Sequence, residues 1–200
     1  MSLFPSPSGG LPDLSYATEV KRKLIHFGSL SIPAVIWYLP KNRSVWVLGI
    51  ALVGSLVVEF LRHRIPADAK GWRHLAALFR PNEKGSLSGS SYILLSAVLA
   101  AAFFRREIAA LSLVYVVVGD VAGALMGRRF GRHRLFDKSW EGSIAFFLAC
   151  LTFSPLVPGL SFAAKIAAAA VATIVESLPL KLDDNLTVPL GTAGFLTLIS

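Results

Sequence analysis

The sequence predicts an all-α, polytopic integral membrane protein with about seven transmembrane helices. Two observations lead to this fold class. The chain of 200 residues is 54% hydrophobic and only 16% charged, a balance typical of bilayer proteins. Its apolar stretches show no regular alternation of polar and apolar residues. Segments that cross the lipid must therefore be helices, which satisfy their own backbone groups.

The predicted helices follow the apolar runs in chain order. These runs cover residues 24–39, 45–61, 90–104, 108–126, 144–157, 163–180 and 188–199. Several are shorter than the roughly 20 residues that a bilayer core requires, and a short helix is accommodated by local thinning or enters without crossing. Residues 1–20 are expected to form a disordered tail, and residues 21–200 a single transmembrane catalytic domain.

Basic residues are distributed unevenly between the loops. Most of the 20 lysines and arginines fall on the side that holds residues 21–23, 62–84, 128–138 and 181. This side is predicted to face the cytoplasm, because positive residues concentrate there in membrane proteins. The net charge of +8 is spread over short loops and not along one continuous face, which argues against nucleic acid and favours lipid headgroups and nucleotide phosphates as partners. The oligomeric state is left open.

The most informative motif is GDVAGALMGRRFG at residues 119–131. Its glycines at positions 119, 123 and 127 would form a smooth helical stripe, suited to close approach of a second helix or of a ligand. Asp120 lies beside this stripe. A carboxylate next to an apolar run needs a partner, and Mg²⁺ with a phosphate is a suitable one. The following basic segment, which includes Arg128 and Arg132, could contact phosphate or anchor the chain at the membrane surface.

The motif KSWEGS at residues 138–143 indicates an anion site or a helix cap. A helix that begins near Ser139 would present free N–H groups to a phosphate, with Lys138 as a point charge and Gly142 close to the ligand. Ser139 could instead be only a helix cap, with Glu141 favoured by the helix dipole. No G-x-x-x-x-G-K-[ST] pattern occurs, so a Walker-type ATPase is disfavoured.

A second acidic region lies in the C-terminal part of the chain. Glu176 falls within an apolar run, and KLDDN follows at residues 181–185. Asp183 and Asp184 could form only a polar turn or could hold a metal, and Asn185 could contact a nucleotide base or ribose. Acids from two helices can converge on a metal and a polyphosphate, as phosphoryl transfer requires.

These motifs, together with RKLIH at residues 22–26, resemble the family of dolichol kinases, phytol kinases and CTP-dependent diacylglycerol kinases, which is related to phosphatidate cytidylyltransferases. The resemblance covers most of the chain, and its motifs are specific in combination. It implies an integral membrane enzyme that transfers the γ-phosphoryl group of CTP, with Mg²⁺, to the hydroxyl of phytol, a polyprenol such as dolichol, or diacylglycerol. The short chain favours a prokaryotic member in the cytoplasmic membrane, with its active site facing the cytoplasm.

The resemblance also implies a nucleotide and metal site, which comprises Asp120, Lys138, Ser139, Glu141, Asp184 and Asn185. In the expected mechanism Asp120 and one or both of Asp183 and Asp184 hold Mg²⁺, while Lys138 and nearby arginines offset charge in the transition state. Glu141 or Glu176 would orient or deprotonate the attacking hydroxyl.

Two other functions remain open at this point. A cytidylyltransferase-like enzyme would transfer CMP to a lipid phosphate. A non-enzymatic membrane transporter or scaffold would keep the apolar runs and the charge bias without any nucleotide chemistry.

Overall fold

The computed structural model describes residues 20, 23–24, 26–64 and 87–200. Within these ranges the chain forms seven α-helices and one short hairpin, and the all-α prediction is confirmed. The helices are α1 (Ser31–Tyr38), α2 (Lys41–Arg64), α3 (Gly89–Phe103), α4 (Arg106–Phe130), α5 (Trp140–Phe153), α6 (Phe162–Ser177) and α7 (Asp184–Ile199). The tail expected at residues 1–20 lies outside the described residues except for its last position.

Two of these helices are long and apolar enough to cross a membrane. They are Lys41–Leu61 within α2 and Arg106–Phe130, which is α4. The segments Gly89–Phe103 and Trp140–Leu156 are apolar but shorter, below the roughly 20 residues of a full span. Each predicted apolar run overlaps a helix of the described part of the chain, whereas the seven membrane crossings stay a prediction.

Several helix boundaries follow from the residues that stand at them. Leu39 precedes Pro40 and has φ −97° and ψ 151°, because the proline ring disfavours helical geometry in the preceding residue. This ends α1. Ser161 begins α6, since its hydroxyl accepts the backbone N–H of Ala164, and serine is a preferred residue at this position.

The central element of the bundle is α4. It packs against α1, α3, α5, α6 and α7, and every residue from Ile108 to Gly119 is buried. Asp120 comes directly after this buried stretch. The helix ends at Phe130, beyond the predicted apolar run, so Arg128 lies on its last turn and not in a loop.

The glycine stripe of α4 is a contact between helices. A Cβ atom at Gly119 would lie 2.5 Å from Cε2 of Phe146 on α5. On the facing helix, a Cβ atom at Gly142 would lie 2.9 Å from the carbonyl oxygen of Gly123. The stripe therefore permits the close approach of a second helix, and two of its glycines, Gly123 and Gly127, also line a cavity. The close approach brings the start of α5 beside Asp120.

Candidate active site

A cavity of about 580 Å³ lies at one end of the bundle, bordered by the C-terminal half of α4, the start of α5, the end of α6 and the start of α7. Its volume falls within the range of about 300–1,000 Å³ that is usual for small-molecule sites. Its charged residues are Lys23, Asp120, Arg128, Arg134, Asp137, Lys138, Glu176 and Asp184. Small residues, among them Ser139 and Gly142, form much of the remaining wall. The structure thus brings together the two distant acidic regions of the sequence.

Asp120 is paired with a lysine from the N-terminal part of the chain. The Nζ atom of Lys23 lies 2.5 Å from Oδ2 of Asp120, and Nε2 of His26 lies 3.3 Å from the same oxygen. Lys23 is only 3% exposed, so the pair is largely removed from solvent. Lys23 was not among the predicted site residues. A signal was available, since an acid in an apolar helix requires a partner and RKLIH offers cations at the same end of the bundle.

A short hairpin between α4 and α5 positions two cations of the cavity. Its strands are β1 (Arg134–Leu135) and β2 (Lys138–Ser139), which run antiparallel with Arg134 opposite Ser139. The turn contains Phe136 with φ 53°, in the left-handed region that non-glycine residues seldom adopt. Arg134 was not predicted as a site residue, because strands of two residues leave no periodic signal in the sequence.

Lys138 connects the hairpin to the junction of α6 and α7. Its Nζ atom lies 2.7 Å from Oε1 of Glu176 and 2.8 Å from Oδ2 of Asp184, and it also donates to the carbonyl oxygen of Glu176. Burial lowers the pKa of Lys138, but the two carboxylates outweigh this effect and leave its pKa above the ordinary value. Lys138 is therefore charged, and it holds both carboxylates at the cavity.

Asp184 is the acidic partner at the start of α7. Burial raises the pKa of its carboxyl, and the charges of Asp183 and Asp120 act in the same direction. The lysine Lys138 opposes the rise without cancelling it. The negative charge of Asp120 thus acts on Asp184 across the cavity, so the two acidic regions interact electrostatically.

Two backbone N–H groups at the start of α5, for which an anion site and a helix cap were both predicted, are engaged within the protein. The N–H of Trp140 donates to the carbonyl oxygen of His133 at 3.0 Å. The N–H of Gly142 donates to Oγ of Ser139 at 3.1 Å. Ser139 is therefore a helix cap that also lines the cavity, and these two N–H groups are not available to a phosphate.

Glu141 and Arg132, both predicted as site residues, are not among the described residues that line the cavity. Oε1 of Glu141 lies 2.7 Å from Nδ1 of His133, and the same carboxylate accepts the backbone N–H of His133. Hydrogen bonds from its own backbone N–H and from the His133 ring lower the pKa of Glu141 to about 2. Glu141 thus holds the loop before the hairpin, while Arg132 is exposed in that loop.

The predicted metal ligands are only partly brought together. Oδ1 of Asp183 accepts the backbone N–H and the Nδ2 group of Asn185, both at 2.9 Å. Asp183 therefore caps α7 and lines a neighbouring cleft of about 220 Å³, which shares Lys138 and Asp184 with the main cavity. Asn185 does not line the main cavity either; its Nδ2 lies close to Gly89 of α3, where a Cβ atom would be 3.0 Å away.

Of the three predicted metal ligands, Asp120 and Asp184 line the main cavity and could hold Mg²⁺ there. Within the described ranges, no group of three His, Cys, Asp or Glu side chains could hold a metal ion. Two carboxylates fit this ion nevertheless, because Mg²⁺ is usually bound by one or two carboxylates with substrate phosphates and water as the other ligands. The arrangement can therefore hold a metal that arrives with a polyphosphate.

Comparison with known proteins gives relatives but no family model and no solved structure that matches. The phytol kinase of Synechocystis sp. is 32% identical over 190 residues, which cover 88% of this chain and 77% of the relative. Phytol kinase 1, chloroplastic, of Arabidopsis thaliana is 33% identical over 126 residues, covering 53% of this chain and 41% of the relative.

A third relative extends the comparison beyond phytol kinases. CTP-dependent diacylglycerol kinase 1 of Saccharomyces cerevisiae is 24% identical over 212 residues, covering 90% of this chain and 73% of the relative. The resemblance drawn from the motifs is thereby confirmed. The chain belongs to the family of phytol, polyprenol and diacylglycerol kinases.

Proposed function

We propose that this chain, a lipid kinase by its family, transfers the γ-phosphoryl group of CTP to the hydroxyl of a long-chain alcohol such as phytol, at the cytoplasmic face of a membrane. The observation that carries the proposal is the meeting of Asp120 and Asp184, each paired with a lysine, in one cavity at the end of an apolar bundle. CTP is suggested by the name of the yeast relative and phytol by the names of the other two.

The two lysine–carboxylate pairs prepare the site for a nucleotide. Lys23 orients Asp120, and Lys138 orients Asp184. A metal ligand must be ionised, and a cation in contact with a carboxylate favours that form. When bound to Asp120 and Asp184, Mg²⁺ would supply charge compensation on the phosphate oxygens. Arg128 and Arg134 on the cavity wall would donate charge-assisted hydrogen bonds to the same phosphates.

The transfer itself follows from positioning and charge. The alcohol oxygen would attack the γ-phosphorus, forming a new P–O bond while the bond to the β-phosphate oxygen breaks and CDP leaves. Of the two predicted bases, Glu176 lines the cavity, where Lys138 contacts it, whereas Glu141 is not among the described residues that line the cavity. We therefore assign to Glu176 the orientation of the attacking hydroxyl and the acceptance of its proton.

The decisive experiment supplies purified protein with γ-labelled CTP or ATP and a panel of phytol, a polyprenol and diacylglycerol. We expect label in a long-chain alcohol from CTP, and the preferred acceptor identifies the substrate. Label in no lipid would reject the proposal. A parallel reaction with a lipid phosphate as acceptor tests the alternative, because release of labelled pyrophosphate there would show a cytidylyltransferase instead.

A matched pair of variants ties the activity to the cavity. Asp184→Asn should abolish transfer, because it removes a carboxylate from the cavity wall. Glu107→Gln is the control, since it neutralises an acid in the first turn of α4, far from the cavity. Equal activity of the two variants would contradict the assignment of the site.

A further inference from the structure

A second cavity, of about 360 Å³, lies between the segment that leads into α1, the middle of α2 and the start of α3. We call it the apolar groove. Its walls include Ile32, Leu48, Ala51 and Ile93, and its polar residues are serines, among them Ser29 and Ser90. Its volume falls within the usual range for ligand sites of about 300–1,000 Å³.

The serine end of the apolar groove lies beside the charged cavity. On one wall, Ser29 follows His26 by three residues, and His26 contacts Asp120 of the cavity. On the other wall, Ser90 is adjacent to Gly89, which closely approaches Asn185 at the start of α7. Two separate parts of the chain thus connect the apolar groove to the acids of the cavity.

A buried carboxylate fixes the serine end of the apolar groove. Glu59 of α2 is 5% exposed, and its Oε2 accepts the backbone N–H of Ser88 at 3.0 Å and the hydroxyl of Ser91 at 3.3 Å. The hydroxyls of Ser88 and Ser90 lie 2.9 Å apart. This network joins α2 to the start of α3, and through Ser88 it holds Ser90 on the wall of the groove.

We propose that the apolar groove holds the hydrocarbon chain of the alcohol acceptor, with the hydroxyl at the serine end, facing the cavity. This inference rests on the proposed function. The groove extends from Ser29 to Val35 of the protein, or about 9 Å for helical geometry. It would therefore take the part of the hydrocarbon next to the hydroxyl and leave the remainder in the bilayer. In the bilayer the hydrocarbon of the alcohol is already surrounded by lipid tails, which are as apolar as the groove. Entering the groove therefore gains little from the hydrophobic effect, and the groove selects its ligand by shape.

Filling the apolar groove tests the proposal by kinetics. Ala51→Trp would place a large ring in the groove wall, whereas Val53→Trp adds the same ring on the same helix at a position that is 61% exposed and not part of the groove. We expect Ala51→Trp to raise KM for a long-chain alcohol about tenfold, within the usual cost of a shape change in an apolar pocket. KM for CTP should not change. Equal effects of the two variants would overturn the proposal.

Photo-crosslinking tests the apolar groove without turnover. A long-chain alcohol with a diazirine near its hydroxyl should label residues 28–35 and 90–94, and excess phytol should compete with it. Ala51→Trp should lose this label, and Val53→Trp should retain it. Label spread over the exposed face of α2, or competed equally by a phospholipid, would overturn the proposal. Groove labelling in a protein that phosphorylates no alcohol would refute the proposed kinase function while leaving the chain-binding site established.

Discussion

The substitution Asp120→Asn tests the site most directly, because it removes one charge and almost no volume. In the proposed function Asp120 is a ligand of the nucleotide-bound metal. Loss of one such electrostatic contribution costs a factor of about 10²–10³ in rate. We therefore expect a fall in phosphoryl transfer of about a thousandfold.

The same substitution also affects stability, and the structure allows an estimate of the size. The side chain of Lys23 is 4% exposed and that of Asp120 31%, with 2.5 Å between Nζ and Oδ2. Removing one partner of a buried ion pair lowers the free energy of unfolding by about 3–5 kcal/mol. Because Asp120 is partly exposed and asparagine retains a hydrogen-bond acceptor, we expect a loss of about 3 kcal/mol, at the lower end of this range.

A double variant separates the two effects. Lys23→Met combined with Asp120→Asn leaves no unpaired buried charge, so its melting temperature in detergent should recover most of the loss seen in Asp120→Asn alone. Its transfer of label from γ-labelled CTP should stay as low as in the single variant. Recovered transfer in the double variant would refute the reasoning, since it would show that Asp120 only neutralises Lys23.

Three further predictions concern residues around the cavity. Lys138→Met should reduce transfer about a hundredfold, because two carboxylates lose the cation that they share; wild-type transfer in this variant would contradict the role of the hairpin. Gly142→Ala should lower the free energy of unfolding by about 1–3 kcal/mol, since its Cβ would lie 2.9 Å from a backbone oxygen of α4, while Gly54→Ala, which projects into open space, should not. Glu141→Gln should transfer phosphate at a near wild-type rate. In the folded protein the pKa of Glu141 is lowered to about 2 from 4.5, so the stabilising contribution of its carboxylate is complete above about pH 4.5 and is lost as the pH falls towards 2. The difference in melting temperature between wild type and Glu141→Gln should therefore shrink over that range. A constant difference would contradict the pKa shift.

The helices and the acids of the cavity could be predicted from the sequence because both depend on local signals. Apolar runs mark the helices, and an acid that interrupts or follows such a run stands out at once. Asp120, Glu176 and Asp184 were all found in this way, and the cavity includes all three. Ser139 was correctly considered as a helix cap, because that function depends only on residues within the next turn.

The partners of these acids could not be predicted, because they depend on tertiary packing. Lys23 and Asp120 are separated by 97 positions in the chain, and no periodicity links them. Glu141 has the residue type and the position expected of a base in the cavity. Its side chain instead turns to His133, eight residues earlier, because the hairpin folds the intervening loop back onto the start of α5.

The charge balance of the cavity explains how acids can lie at the end of an apolar bundle. Within the described part of the chain, its walls carry four cationic and four carboxylate side chains. A polyphosphate that entered alone would meet as much repulsion from the carboxylates as attraction from the cations. In the proposed function a magnesium-bound nucleotide would exchange these partners: the carboxylates would hold the metal, and Lys23 and Lys138 would contact the phosphates. Each carboxylate and each lysine would then have an oppositely charged partner both before and after the nucleotide binds. Because an uncompensated buried charge is costly, this exchange would favour the metal–nucleotide complex over the free anion. The proposed function therefore predicts that the two lysines are as necessary to the site as the acids that they hold.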